Sequence, residues 1–444
     1  MSRKKLGFGL LVLIIVAVLY YLNHTENVKN LNTLQKAVNL QLTDMQTNGF
    51  TVSERQIKNE SEHFVIQIND PQKAALFLAQ KGIRLTVEEA KELTGIQLAT
   101  DVTYLEDMIA LELYPLTLPT YLTTAFTTEN DKKFLAQLKD MIKKKTFLMH
   151  VDIVHSTTTF KGYVKDINER VEGEKEVKLI LKGLRFSGEI KNEKIVKYNQ
   201  AFETLHLYMS DELNRTISGY QSNYELTGTT AYDYTTDYSI EKIEIAEQAE
   251  GALFADTIIL HSTSTVKEGL TTETLQAKIN NLELLFEKEK FAMQTLNMDM
   301  HISNIDVDTL EKLQKTDPNK EKEIDAHIET LVSNKMHLEI PILSVDKVTL
   351  HGKEMYGFTL TATLDLDESL DIYRLGIRPK HALDKIDGDI HLSMSKEILT
   401  MLKEDPEFMI GYMMYRPKRS LGQRIYNINI MDGSVKINGK SLEF

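Results

Sequence analysis

Residues 426–444 read YNINIMDGSVKINGKSLEF, and this stretch decides the fold class. Asp432-Gly433 and Asn438-Gly439 supply the positive φ angles that two-residue hairpin turns require. On either side the apolar residues alternate. Ile428, Ile430, Val435, Ile437, Leu442 and Phe444 would share one buried face of a three-stranded antiparallel meander.

Working back from this end, Asp387-Gly388 offers one more hairpin turn. The runs 145–152, 176–186, 195–209 and 220–245 are rich in Val, Ile, Thr, Tyr and Phe and contain no proline, as long antiparallel strands would be. Tyr232, Tyr234 and Tyr238 have one parity, so a strand would present them on one face, where a ligand could meet them. A local echo joins 154–161 (VHSTTTFK) to 260–267 (LHSTSTVK), with His155 and His261 in matching places. The reading is an antiparallel β-rich body over 146–444, with the echo raising the option of two related β units.

Before that body the pattern is mixed. His63 to Ile68 reads as a strand. Asp70-Pro71 opens a helix with an N-cap and a proline at the first helical position. Thr86-Val87-Glu88-Glu89 has capping-box spacing. Leu113 to Pro119 reads as an extended connection, and Asn130 to Lys145 as an amphipathic helix. Residues 50–145 are thus expected to form a small α+β portion. Leu31, Leu34, Val38, Leu42 and Met45 recur at helical spacing, which predicts a stalk helix within 23–49 that Asn48-Gly49 ends.

The N-terminus carries the strongest statement about location. Leu6 to Leu22 is apolar and uncharged, with Leu6, Leu10, Leu13, Ile14, Val18 and Leu22 along it. At about 1.5 Å per residue it reaches the short end of what spans a bilayer. Arg3, Lys4 and Lys5 in the stub 1–5 precede it, and Tyr20 and Tyr21 sit at its far end. The positive-inside bias puts the stub in the cytoplasm and the body outside. A cleaved signal peptide shares the charged start, but no small-x-small site follows.

Composition excludes several classes. The net charge of −13 argues against a nucleic-acid binder, which needs a basic face. With no cysteine there are no disulfides, thiolate nucleophiles or Cys-ligated metals. The 12 histidines fall in no metal-binding motif, and the acidic run 365–371 lacks the glycine of a calcium loop. Phosphate-binding glycine loops and the nucleophile elbow are absent from the sequence. No catalytic residue, metal or cofactor is therefore expected. His155 and His261, in their shared context, are the residues left to weigh as ligand-binding or acid/base groups, against two histidines facing solvent. Residues 408–415 (FMIGYMMY), followed by Arg416, Lys418 and Arg419, read either as core packing with a basic turn or as a methionine-rich surface for a lipid or partner.

The layout as a whole, an anchor followed by a helix-then-strand body, resembles the YdgA-like family of bacterial membrane proteins, domain of unknown function 945. Asn304-Ile-Asp-Val-Asp-Thr-Leu310 is similar to the family's N-x-D-x-x-x-L stretch, and Gly433 to Gly439 to its closing meander. Where many members have His-Gly-Pro, this chain has His155-Ser156-Thr157. The resemblance implies an inner-membrane protein of Gram-negative bacteria whose body faces the periplasm, and brings no catalytic residue with it. The functional expectation is a non-enzymatic envelope protein that binds a lipid-like or other apolar ligand. The alternatives are a scaffold for an envelope protein partner, or a hydrolase in which His155 or His261 meets a carboxylate in a cleft.

Overall fold

Residues with period-two alternation form strands and those with helical spacing form helices in the computed structural model of the chain. The structure describes residues 31–80, 85–125, 128–154, 156–173, 176–191, 194–210, 212–247, 251–286, 289–316, 320–332, 335–367, 370 and 383–442. Over these residues the protein is β-rich, with long antiparallel strands and few helices. The expected membrane segment 6–22 and Phe444, expected on the meander's buried face, lie outside them. No helix among the described residues is long and apolar enough to cross a membrane. The chain divides into two compact units, Met1–Asn223 and Tyr224–Phe444.

The first unit opens with α1 (Leu31–Thr47), β1 (Phe50–Ile57), β2 (Ser61–Ile68), α2 (Pro71–Gln80), α3 (Val87–Glu92), β3 (Gln97–Tyr104) and β4 (Met108–Pro115). Then come α4 (Thr120–Ala125), α5 (Glu129–Lys143), β5 (Met149–Val154), β6 (Thr159–Val164), β7 (Ile167–Val171), β8 (Val177–Lys182), β9 (Arg185–Lys191) and β10 (Lys194–Met209). β11 (Leu213–Leu226) carries the chain into the second unit. Strands β1 to β6 pair in sequence order, β6 pairs with β9, and β9 and β8 pair with the first and second halves of β10.

Local signals explain the helix starts. Asp70 accepts from the Lys73 N–H at 3.1 Å, and Thr86 and Glu89 close the capping box. A second box, Thr128 with Asp131, opens α5. The helix expected as a stalk is part of the body over its described residues. Val38, Leu42 and Met45 of α1 are buried with Phe50, Phe77 and Leu78 in the unit's core, because one helical stripe of apolar residues finds a sheet face to cover. The expected boundary near 146 also moves. β4 pairs directly with β5, Leu113 opposite Met149, so the sheet runs through that point and the chain divides at 223/224.

The second unit contains β12 (Tyr234–Glu247), β13 (Gly251–Lys267), β14 (Leu270–Phe286), β15 (Glu289–Asp306), α6 (Val307–Lys315), α7 (Glu321–Val332), β16 (His337–Leu350) and β17 (Lys353–Leu366). It ends with β18 (Ile386–Met394), α8 (Lys396–Leu402), α9 (Pro406–Met414), β19 (Lys418–Ser420), β20 (Gln423–Met431), β21 (Ser434–Ile437) and β22 (Lys440–Ser441). β12 to β18 pair antiparallel in sequence order, β18 pairs with β20, and β20 to β22 form the meander expected from the closing sequence. Asp387-Gly388 is not a turn. Both residues lie within β18, and a Cβ at Gly388 would come 2.5 Å from the Thr363 carbonyl oxygen, so close approach of strands explains this glycine. The echo does not repeat a structure either: 156–158 form a turn between β5 and β6, whereas 260–267 lie inside β13.

Candidate functional site

The two faces of the second unit's sheet differ in chemistry. Direct cross-strand partners project to the same side. Following them from Ile240 gives Ile258, Ile279, Leu296, Val345, Phe358, Met394 and Arg424. The adjoining rows carry Leu260, Ala277, Met298, Leu343, Leu360, Leu392 and Tyr426. One face is thus apolar across seven strands and ends on β20 at Arg424 and Tyr426, yet most of these side chains are only half-buried.

A line of irregular backbone then crosses the sheet. The ladder skips Glu241, Thr257, Asn280, Thr295, Asp346 and Gly357. Thr257 and Thr295 hold positive φ angles of 50° and 53°, which non-glycine residues seldom adopt. A Cβ at Gly357 would lie 1.7 Å from the Val345 carbonyl oxygen. On crossing this line the apolar alternation changes phase, to Ile245 and Ile243, Leu253 and Ala255, Leu284 and Leu282, Phe291 and Met293, Leu350 and Val348. Met293 and Leu296 differ in parity but pack against one cluster with Val345, Val348, Met355 and Phe358. The apolar face is therefore continuous through the kink.

α8 and α9 cover the middle of that face through Ile398, Leu399, Phe408 and Tyr412. Beyond them lies an open apolar depression of about 560 Å³, with Ile245, Leu253, Leu284, Phe291 and Leu350 among its walls. That volume suits a small apolar ligand. At the opposite end of the face stand polar groups. Tyr224 and Tyr234 approach with ring centroids 6.2 Å apart, and Glu273 is opposite Ser264. Burial raises the pKa of Glu273; burial, then Glu273, raises that of Tyr234.

The sequence-predicted residues fall as follows. Tyr234 and Tyr238 lie on β12, facing the same side as Ile240, while Tyr232 precedes the strand in the turn that Asp233 organises. His261 lies on the opposite, polar face, where its Nδ1 meets Asp237 at 2.7 Å. Both side chains are exposed, so the carboxylate contact exists without a cleft. His155 lies outside the described residues. The run 408–415 divides, with Phe408, Tyr412 and Tyr415 turned inward and Met409, Ile410, Met413 and Met414 exposed; core packing describes only half of it. Asn304 has a φ of 65° and bonds the Lys335 carbonyl, and Asp306 caps α6 through Thr309, so the stretch 304–310 forms a strand-to-helix joint.

The sequence reading missed a polar row in the first unit. His63, Asp101, Glu112, His150 and Tyr163 are successive direct partners across β2 to β6. Asp101 takes His63 Nδ1 at 2.6 Å and the Tyr114 hydroxyl at 2.8 Å, with Lys145 Nζ at 3.6 Å. Burial opposes ionisation of Asp101, but His63, Tyr114 and Lys145 outweigh it and lower its pKa. Lys145 also stands 3.6 Å over the Tyr114 ring. Histidine–carboxylate pairs recur elsewhere, as His337 with Asp365 and His301 with Glu339, both direct partners on neighbouring strands, which marks them as a cross-strand pairing device. No group of three or more metal-type ligands forms among the described residues. No protein-family model, curated protein or solved structure matches the chain.

Proposed function

We propose that the second unit binds an elongated apolar, lipid-like molecule along its aliphatic face, with the 560 Å³ depression receiving the apolar end. The observation that carries this reading is the phase change on six strands, which keeps an incompletely covered face apolar from Ile302 through to Leu253. Half-covered aliphatic side chains retain apolar surface that a ligand could remove from water, at about 25 cal/mol per Å².

In this proposal residues 6–22 tether the body to a membrane, outside the cytoplasm, where lipids are at hand. The arrangement accords with the resemblance to the YdgA-like family, which is part of the same proposal.

The test is a photoactivatable diazirine fatty acid, offered to the purified full chain and mapped by mass spectrometry. Crosslinks on peptides holding Leu253, Leu284 and Phe291, competed by unlabelled palmitate and lost in Leu284→Asp, are expected. Labelling that unlabelled palmitate does not reduce, or that avoids the second unit, overturns the reading. A stoichiometric protein crosslinked to the same face in native membranes would favour a scaffold instead.

A further inference from the structure

Five two-residue hairpin turns of the second unit have positive φ at both central residues: Glu268-Gly269, His351-Gly352, Leu421-Gly422, Asp432-Gly433 and Asn438-Gly439. Asn, Asp and Gly suit such turns because they tolerate the left-handed region. Leu421, at a φ of 46°, does not, and its side chain is fully exposed (101%). An apolar side chain held out to solvent on unfavourable backbone is a feature for function to explain.

Its surroundings explain it. β19 pairs with β20 as Lys418 opposite Ile425, Arg419 opposite Arg424 and Ser420 opposite Gln423, so cations flank the tip. Just before it, α9 is apolar nearly all round. Its inner residues Phe408 and Tyr412 join the core, while Ile410 (63%), Met413 (68%) and Met414 (52%) face outward. The helix end is fixed. Tyr415 donates to the Ser441 carbonyl at 3.1 Å, and Asn438 to the Arg416 carbonyl at 3.1 Å. Lys403 stands 3.6 Å over the Tyr412 ring and, with Arg416 and Arg419, lowers that phenol's pKa. In a chain of net charge −13 this is a local basic field around exposed aliphatic side chains. Acidic residues Glu404 and Asp405 lie at the other end of α9, where Asp405 is the N-cap.

We propose that the outer side of α9 and the Leu421 hairpin tip form a surface that seats the second unit on an anionic phospholipid bilayer. Leu421 and the Met/Ile side chains would enter the acyl boundary, and Arg416, Lys418 and Arg419 would meet lipid phosphates. This contact is separate from the ligand face.

The chain has no cysteine, so a single introduced thiol reports one place. Ser420→Cys and, as a control, exposed Tyr356→Cys would each carry an NBD fluorophore on the full chain. Vesicles of phosphatidylcholine with a quarter phosphatidylglycerol would contain a spin-labelled lipid quencher. Quenching at 420 several-fold above that at 356 is expected. It should fall at least fivefold with Leu421→Asn, or with Arg416→Glu and Arg419→Glu together. Leu421→Asn suits the turn, so its thermal midpoint should be unchanged or raised, which separates lost contact from lost fold. Equal quenching at the two sites, or quenching indifferent to phosphatidylglycerol, overturns the proposal. So does an emission shift at 420 without vesicles that grows with protein concentration, which would assign the surface to a second copy.

Discussion

The two units solve the same problem, covering an aliphatic sheet face, to different extents. In the first, α1, α2 and α3 supply Val38, Leu78 and Ala90 to a dry core with Phe64, Leu113 and Val151, and Leu113 is 0% exposed. In the second, β15 has 18 residues, about 60 Å of strand at roughly 3.4 Å each. α8 and α9 have 7 and 9 residues, about 10 and 14 Å of helix. Helices that short cannot roof strands that long. The difference shows that strand alternation specifies a face but not what covers it. An uncovered face is either open to a ligand or a liability.

The sharpest way to break the comparison is the kink line. Gly357→Val would place a Cβ 1.7 Å from the Val345 carbonyl oxygen, backbone that cannot rotate away. We expect a loss of about 4 kcal/mol or more in denaturant unfolding, at the exceptional end for one substitution. A variant of ordinary stability would mean that the line is not a fixed crossing.

A matched pair of truncations follows. Leu113→Ala empties a closed core and should cost about 3 kcal/mol. Met298→Ala, on the half-covered face, removes side chain already in partial contact with water and should cost below about 1 kcal/mol. Equal losses in urea titrations would remove the distinction between the units.

Much of this fold is legible in the residues. Asp432-Gly433 and Asn438-Gly439 mark the meander, Thr86 with Glu89 marks a helix start, and alternation marks the long strands. The phase change was readable too: Phe291 and Met293 are odd, while Leu296, Met298, Met300 and Ile302 are even. It was missed because each slip looks like noise in one strand and becomes a line only once register aligns six of them. The polar row from His63 to Tyr163 had no local signal, since its members are far apart in sequence and meet only through pairing. Asp387-Gly388 misled because a glycine that admits a neighbouring strand and one that makes a turn look alike in sequence.

Ionisable groups extend the comparison at smaller energies. Asp101 in the first unit is held by His63, Tyr114 and Lys145, and its pKa is lowered. Its stabilising contribution is present above the ordinary carboxylate range and drains away as pH falls through the lowered value. Asp101→Asn should therefore destabilise at pH 7 by about 1 kcal/mol, the site being partly exposed and screened, and the loss should fade as pH falls through that lowered value.

Glu273 in the second unit is the opposite case. It stands on the apolar face with burial raising its pKa and no compensating cation shifting it back. For a carboxyl raised in the folded state, the ionised form disfavours folding, so stability grows as pH falls through the folded pKa. Glu273→Gln should raise stability at pH 7 by about 0.5 kcal/mol, and the gain should shrink as pH falls through the raised native pKa and vanish below the ordinary carboxylate range. Thermal midpoints across that range decide it. A gain constant with pH would mean that charge is not what the face resists. If a lipid-like ligand instead uses the carboxylate, the bound protein should lose stability on the same substitution while the free protein gains it.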